Sequence, residues 1–389
     1  MREVSVIGVG MTPFGKFPNR NTRELGAQAI REALKDCSIP REKIQGLYCS
    51  NQYSRQAGQP AAFDAGIMGA QTFNCENGCA SGSSALWLGW WSVASGFHDA
   101  VVVFGMESMT PLMEGLIQLP DSEEIYFGRL GLALPSYFGL LARRHMHKYG
   151  TTVEQFAKIS VKNHKFGALN PKSRYRKVLT IEEVQSAKMV ADPLTTLHCC
   201  PIADGGAAAI LCASDIARKY SDQPIRIRSC VFETSDYYGG TGDVTDGKMT
   251  RKAAGLAYEQ AGIGPNDLDV LEVHDCFTNC ELLIYEAIGL CRPGEGGRLV
   301  DEGATDMGGK WVVCPSGGLQ AKGHPIGATG IAQVVEIVEQ LRGRSGDRQV
   351  PNAKVGLTHN YGGVGAPLHA YGMVGGLDFG NCGIAVFSR

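Results

Sequence analysis

Four short segments of the 389-residue chain carry side chains that could do chemistry at spacings suited to it. Cys79 sits in Asn74-Cys75-Glu76-Asn77-Gly78-Cys79-Ala80-Ser81-Gly82, where small neighbours let a substrate approach the thiol. A helix expected just after it would aim backbone N–H groups and a positive dipole end at the sulfur, favouring thiolate. His324 lies in Lys322-Gly323-His324-Pro325-Ile326-Gly327-Ala328-Thr329-Gly330, also at an expected helix start. There the dipole disfavours imidazolium and keeps neutral imidazole available as base or donor. Val273-His274-Asp275-Cys276-Phe277 puts an imidazole and a second thiol at the end of an expected strand, where open α/β sheets collect ligands. His359-Asn360-Tyr361-Gly362-Gly363-Val364-Gly365-Ala366 follows another strand and can turn a backbone N–H into a site, as an oxyanion hole requires.

Each segment alone has a plainer reading. Free cysteines are mostly inert core residues, and a histidine in a glycine-rich turn can be a capped structural group. Cys276 and Cys280 with Cys199-Cys200 could be a zinc fragment, but no C-x-x-C pair exists and no metal site is expected. Neither a dinucleotide-binding glycine fingerprint nor a Walker A loop is present.

The elements that must position these residues read as a repeated α/β unit. Val4 to Val9 is a β-branched strand, and a helix capped by Asn21 or Thr22 runs to about Asp36, with Leu25, Ala29, Ile30, Ala33 and Leu34 on one face. A strand follows around Gly46 to Cys49. Residues 251–272 repeat residues 27–48 at an offset of 224, with Ala33, Ile39, Ile44 and Leu47 answered by Ala257, Ile263, Leu268 and Leu271. Gly78-Cys79-Ala80-Ser81-Gly82 aligns with Gly323-His324-Pro325-Ile326-Gly327 at an offset of 245. Each is followed by an apolar helix (Ala85–Val93, Ile331–Leu341) and a strand (Ala100–Phe104, Lys354–Thr358). The pattern predicts two similar halves, 1–240 and 241–389, with mixed sheets and helices on both faces. Residues 111–205 have no counterpart in the second half and should form a cap, rich in aromatics such as Tyr126, Phe127, Tyr137 and Phe156.

Composition narrows the class. Lysine plus arginine total 37 against 39 aspartate plus glutamate, a net charge of −2, which leaves no basic field for nucleic acid or an anionic membrane. No apolar stretch approaches 18 residues, so no membrane-spanning helix is expected. Thirteen cysteines without an export signal point to a reducing, cytoplasmic setting. The 51 glycines are nearly twice the usual share of about 7% and should mark close backbone approaches.

Together the four segments resemble the thiolase superfamily, in the branch of sterol-carrier-protein-2-type thiolases and archaeal acetyl-CoA acetyltransferases. The resemblance rests on Cys-Ala-Ser-Gly at 79–82, Lys-Gly-His-Pro-Ile-Gly-Ala-Thr-Gly at 322–330, His-Asp-Cys-Phe at 274–277 and Gly-Met-Glu-Ser-Met-Thr at 105–110. It implies an α/β thiolase fold of five αβαβα layers, usually dimeric, acting on acyl-CoA thioesters with coenzyme A as co-substrate and no tightly bound cofactor. It further implies Cys79 as nucleophile, His324 as its activator and Cys276 as the second acid/base thiol. His274, where many thiolases have Asn, would orient a water or donate to the first oxyanion hole. Backbone N–H groups of Cys79 and Gly362 would form the second, with Asn360 and Gly323 lining the site. Many thiolases carry the second cysteine in a Cys-x-Gly motif; here that position reads Asn360-Tyr361-Gly362, and the thiol moves to Cys276. Relatives of this branch work with a small zinc-ribbon OB-fold protein, a partner expected here by resemblance. Trp87, Trp90 and Trp91 read as helix packing or a subunit interface, though a bulky or aromatic substrate such as benzoylsuccinyl-CoA stays open. The alternatives are an aldolase-type lyase on a β-hydroxyacyl-CoA and a non-catalytic scaffold subunit.

Overall fold

The computed structural model describes residues 1–113, 133–236, 243–363 and 380–389. Its main sheet has ten strands: β1 (Val4–Met11), β2 (Gly46–Ser50), β3 (Gln71–Cys75), β4 (Ala100–Glu107), β5 (Gly205–Ala213), β6 (Ile225–Thr234), β7 (Val270–Glu272), β8 (Val312–Val313), β9 (Val355–Gly362) and β10 (Asn381–Ser388). Their hydrogen-bonded order is β8-β7-β9-β10-β6-β1-β5-β4-β2-β3. The two halves of that order repeat each other. β1 runs antiparallel to β5 and β5 to β4, while β4, β2 and β3 are parallel. In the same way β6 is antiparallel to β10 and β10 to β9, while β9, β7 and β8 are parallel. The halves join where Val4, Ser5 and Val6 pair with Ile227, Arg226 and Ile225. β6 therefore stands in the second half where β1 stands in the first. In the second half the repeat of strands begins with β6 at Ile225.

The layers follow from the side-chain period of two. Along β4, Val101 and Val103 enter one core while Val102 and Phe104 enter another; along β5, Ala207, Ala209 and Leu211 part in the same way from Ala208, Ile210 and Cys212. The central core holds helices α3 (Ser81–Ala94) and α8 (Ile326–Leu341), which pack on strands of both halves. The two outer cores lie under α1 (Thr22–Lys35) and α2 (Gly58–Asp64) on one side. On the other they lie under α6 (Lys248–Ala261) and α7 (Thr278–Ala287). The result is five layers, and strands buried on both faces explain the near-continuous apolar runs. α1 starts on Asn21, whose side chain accepts from the Glu24 N–H, and ends at Asp36.

Both central helices begin earlier than their apolar stretches suggest. Their first turns, Ser81-Gly82-Ser83-Ser84 and Ile326-Gly327-Ala328-Thr329-Gly330, closely follow Cys79 and His324, where the sequence places the helix starts. They are helical because the two turns cross closely: a Cβ on Gly82 would lie 2.7 Å from the Gly330 N, and one on Gly330 2.6 Å from the Ser83 N. Glycine permits that crossing.

The first-half insertion supplies α4 (Leu134–Tyr149) and α5 (Val153–Leu169). α5 packs on α7, on the helix at Gly296–Asp301 and on the π-turn at Gly318–Lys322, so the cap covers elements of the second half. Tyr126 and Phe127, expected in the cap, and Val364-Gly365-Ala366 of the glycine-rich loop lie outside the described residues. All 13 cysteines are unbridged. Among the described residues no helix is long and apolar enough to cross a membrane.

Candidate active site

Cys79 lies two residues before α3 and His324 two residues before α8, so the crossing that buries the two helix starts also brings thiol and imidazole together. Cys79 Sγ is 3.2 Å from His324 Nε2. The opposite ring nitrogen, Nδ1, is 2.7 Å from Thr329 Oγ1. That hydroxyl spends its own proton on the Pro325 carbonyl at 2.9 Å, so it can only accept from His324. The proton therefore sits on Nδ1, and Nε2 faces Cys79 with a lone pair. Burial pushes His324 down to about 3, which keeps it neutral. Its backbone N–H is held by the Pro201 carbonyl at 3.2 Å, while Gly323 turns at φ +106° with Ala203 filling the space of a Cβ.

The backbone of β9 closes on Cys79. A Cβ on Gly362 would lie 2.7 Å from both Cys79 N and Cys79 Cβ and 2.5 Å from Ala80 N. Gly78, at φ +55°, is approached by Gly363 in turn. Only glycine fits at 362.

The segment after β7 completes the cluster. One donor atom from each of Cys79, His274 and His324 lies within 4.8 Å of the others, and the two imidazole rings meet edge to face at 5.0 Å. Burial, with His324 and His359 nearby, lowers His274 well below the ordinary histidine range. Cys276 is 8% exposed, with Sγ 3.6 Å from the Tyr361 hydroxyl. The Cys276 carbonyl accepts from the Cys200 N–H at 2.9 Å. Asn360 is buried, with Nδ2 2.9 Å from His274 Nδ1, so it reaches the site through that histidine. The structure thus brings Cys79, His274, His324 and Gly362 together, with Asn360 and Gly323 behind them and Cys276 beside Tyr361, whose ring packs on His274.

Residues that carried no assignment in the sequence hold this geometry. Asp275 accepts from the Leu319 N–H at 2.7 Å, the Gln320 N–H at 3.3 Å and Asn163 Nδ2 at 3.0 Å. It thereby ties the His274–Cys276 loop to the π-turn that leads into His324. Burial beside Glu281 lifts Asp275 to about 8. A Cβ on Gly318, at φ +57°, would sit 2.1 Å from the Asp275 carboxylate, so glycine is required there. Glu281 in turn is paired with Lys162, itself buried. Glu107 accepts from Asn51 Nδ2 and from the backbone of Gln52, Tyr53 and Gly327 at 2.9 to 3.3 Å, pinning the first turn of α8; burial lifts it to about 7. The signals available were slight: Glu107 lies in a motif already noted, and Thr329 lies five residues past His324.

Comparison with known proteins agrees with this arrangement. Residues 4–215 match the thiolase N-terminal domain, and residues 234–370 match the thiolase C-terminal domain-like family. An acetyl-CoA acetyltransferase of Methanothermobacter thermautotrophicus is 40% identical over 386 residues, covering 95% of this chain and all of that one. Bovine (Bos taurus) sterol carrier protein 2 is 40% identical over 93% of this chain and 70% of its own length. The benzoylsuccinyl-CoA thiolase subunit BbsB of Thauera aromatica is 36% identical over 93% of this chain and 95% of its own. The solved structure of an Ltp2-ChsH2(DUF35) aldolase superposes with a TM-score of 0.85 over 99% of this chain and 98% of that one; at 23% identity it speaks for the fold. The chain belongs to the thiolase family. It is a thiolase-type acyltransferase.

Proposed function

We propose that the protein cleaves a β-ketoacyl-CoA with coenzyme A, or runs the reverse Claisen condensation, through an acyl-enzyme on Cys79. The observation that carries this reading is the 3.2 Å contact between Cys79 Sγ and the lone-pair nitrogen of a neutral, Thr329-oriented His324. His324 Nε2 takes the thiol proton and the thiolate attacks the β-keto carbon. The bond between the α- and β-carbons breaks, its electron pair staying on the departing thioester enolate. Cys276 protonates that enolate, and coenzyme A then attacks the acyl thioester, releasing Cys79. His324 and His274 supply donors for one developing oxyanion, the backbone N–H groups of Cys79 and Gly362 for the other. The lyase alternative has no use for a thiol activated in this way.

Three further readings belong to the same proposal. The substrate is a bulky β-ketoacyl-CoA of the benzoylsuccinyl type, by analogy with the Thauera aromatica relative. A small zinc-ribbon OB-fold protein accompanies the chain in the cytoplasm, by analogy with the Ltp2-ChsH2(DUF35) pairing of the similarly folded aldolase. The core is a homodimer built on the β3 edge, where Phe73 on β3 and Phe63 and Met68 just before it stand 43, 62 and 72% exposed. Intact-mass analysis after incubation with a β-ketoacyl-CoA should show one acyl adduct, lost in Cys79→Ala together with thiolysis. Retained coenzyme-A-dependent cleavage by folded Cys79→Ala would overturn the mechanism.

A further inference from the structure

Resting on that reading, we infer that Asn360 is a positioning residue that holds His274 in the tautomer opposite to that of His324, so that one imidazole accepts at Nε2 while the other donates there. Burial keeps both rings neutral, and a neutral imidazole has a single N–H, so the nitrogen that carries it decides the role. For His324 the Thr329 hydroxyl places the proton on Nδ1.

For His274 the neighbour is an amide, which is ambiguous by itself: its oxygen would call for a proton on Nδ1, its nitrogen for a lone pair. The α3 helix removes the ambiguity. The backbone N–H of Ser83 points at the other end of the Asn360 amide, 3.4 Å from Oδ1. An N–H can only donate, so that end is the oxygen, and the NH2 group faces His274 Nδ1 at 2.9 Å. Nδ1 accepts, and the proton is left on Nε2. Asn360 cannot turn over without setting its NH2 against the Ser83 N–H in a fully buried space, where an unmatched donor costs about 1–3 kcal/mol.

Crowding keeps the amide where it is. A Cβ on Gly330 would lie 2.7 Å from Asn360 Oδ1, and Ser83 Oγ, whose proton goes to the Ala80 carbonyl at 2.9 Å, lies 3.4 Å from the Asn360 carbonyl. The helix crossing that pairs Cys79 with His324 therefore also sets the proton on His274, one ring away. The consequence is a pocket with one basic and one donating imidazole at the same pH, without either being charged. An oxyanion at that cluster meets an N–H from His274 while Cys79 keeps its base.

The test is ¹⁵N spectroscopy of the histidine rings, nine in the chain, with the His274 signals assigned by their loss in His274→Gln. Wild-type protein should show the Nε2–H tautomer at His274 and Nδ1–H at His324. Asn360→Asp offers only acceptors to Nδ1, so His274 should switch to Nδ1–H, with kcat down about 10²- to 10³-fold, as for loss of one oxyanion donor, and KM within a few-fold. An Nδ1–H tautomer at His274 in the wild type overturns the inference, and that reading needs no folded variant. So does an Asn360→Asp protein that keeps Nε2–H, or one that switches without loss of kcat. Absence of an acyl adduct on wild-type Cys79 would instead overturn the thiolase mechanism and leave the tautomer assignment standing.

Discussion

Removing the Thr329 hydroxyl is the sharpest probe of how His324 activates Cys79. Thr329→Val keeps the side-chain volume close to the original on the first turn of α8 and deletes the acceptor of the His324 Nδ1–H together with the hydroxyl's own bond to the Pro325 carbonyl. Thr329 is 1% exposed, so water has no ready access to replace the lost partner. A buried donor left unmatched costs about 1–3 kcal/mol. The ring can avoid that cost by moving its proton to Nε2, but then no lone pair faces Cys79. At about 1.36 kcal/mol per tenfold, the penalty translates into Cys79 acylation slowed about 5- to 150-fold. The rate of acyl-adduct formation on mixing with acyl-CoA, followed by intact mass, measures this directly, and alkylation of Cys79 by iodoacetamide gives an independent readout of thiolate. The fold should lose about 1–3 kcal/mol for the unmatched buried donor, which urea denaturation reads separately. Wild-type acylation and alkylation rates in a folded Thr329→Val protein would refute the account of His324 as a base held by its hydroxyl partner.

Two further outcomes follow from the site. Cys276→Ala should still acquire the acyl group on Cys79 when offered acyl-CoA yet fail to condense it, and a variant that turns over normally would place the acid/base role elsewhere. Stability should fall on mild acidification, because His324 sits at about 3 in the fold against about 6.5 when unfolded, so the unfolded chain binds the extra proton between those values. At pH 5 that single group costs about 2 kcal/mol relative to pH 7.5, and His324→Asn should lessen the pH dependence of urea denaturation by that amount; an unchanged dependence would count against neutral burial of the ring.

Much of this is legible in the amino-acid order because the chemistry is local. Cys79 and His324 can be matched across 245 residues since each is a reactive residue between glycine and a helix start, and Asn21 or Thr22 marks the start of α1, with Asn21 the cap in the structure. What stays hidden depends on partners distant in sequence. Asp275 reads as the middle of a motif, yet its hydrogen bonds go to Asn163, Leu319 and Gln320. Asn360 reads as a pocket residue, while its amide is spent on His274 and the Ser83 N–H. That the glycines of the first turns of α3 and α8 answer to each other across the crossing is likewise hidden, because no period within either segment can reveal it. β6 falls in the first half by its position along the chain, since only pairing with β10 shows its place.

The 245-residue separation of the catalytic pair has a consequence for how the molecule comes into being. Neither half can assemble a working centre, because thiol and base are donated by different repeats. Such long-range contacts form late, after the entropy of closing the intervening chain has been overcome. A nascent or partly folded chain thus carries thirteen ordinary thiols and no activated one. Under the proposed mechanism, activation of Cys79 waits on its contact with His324, so an acyl group taken up there would report that the two repeats have docked.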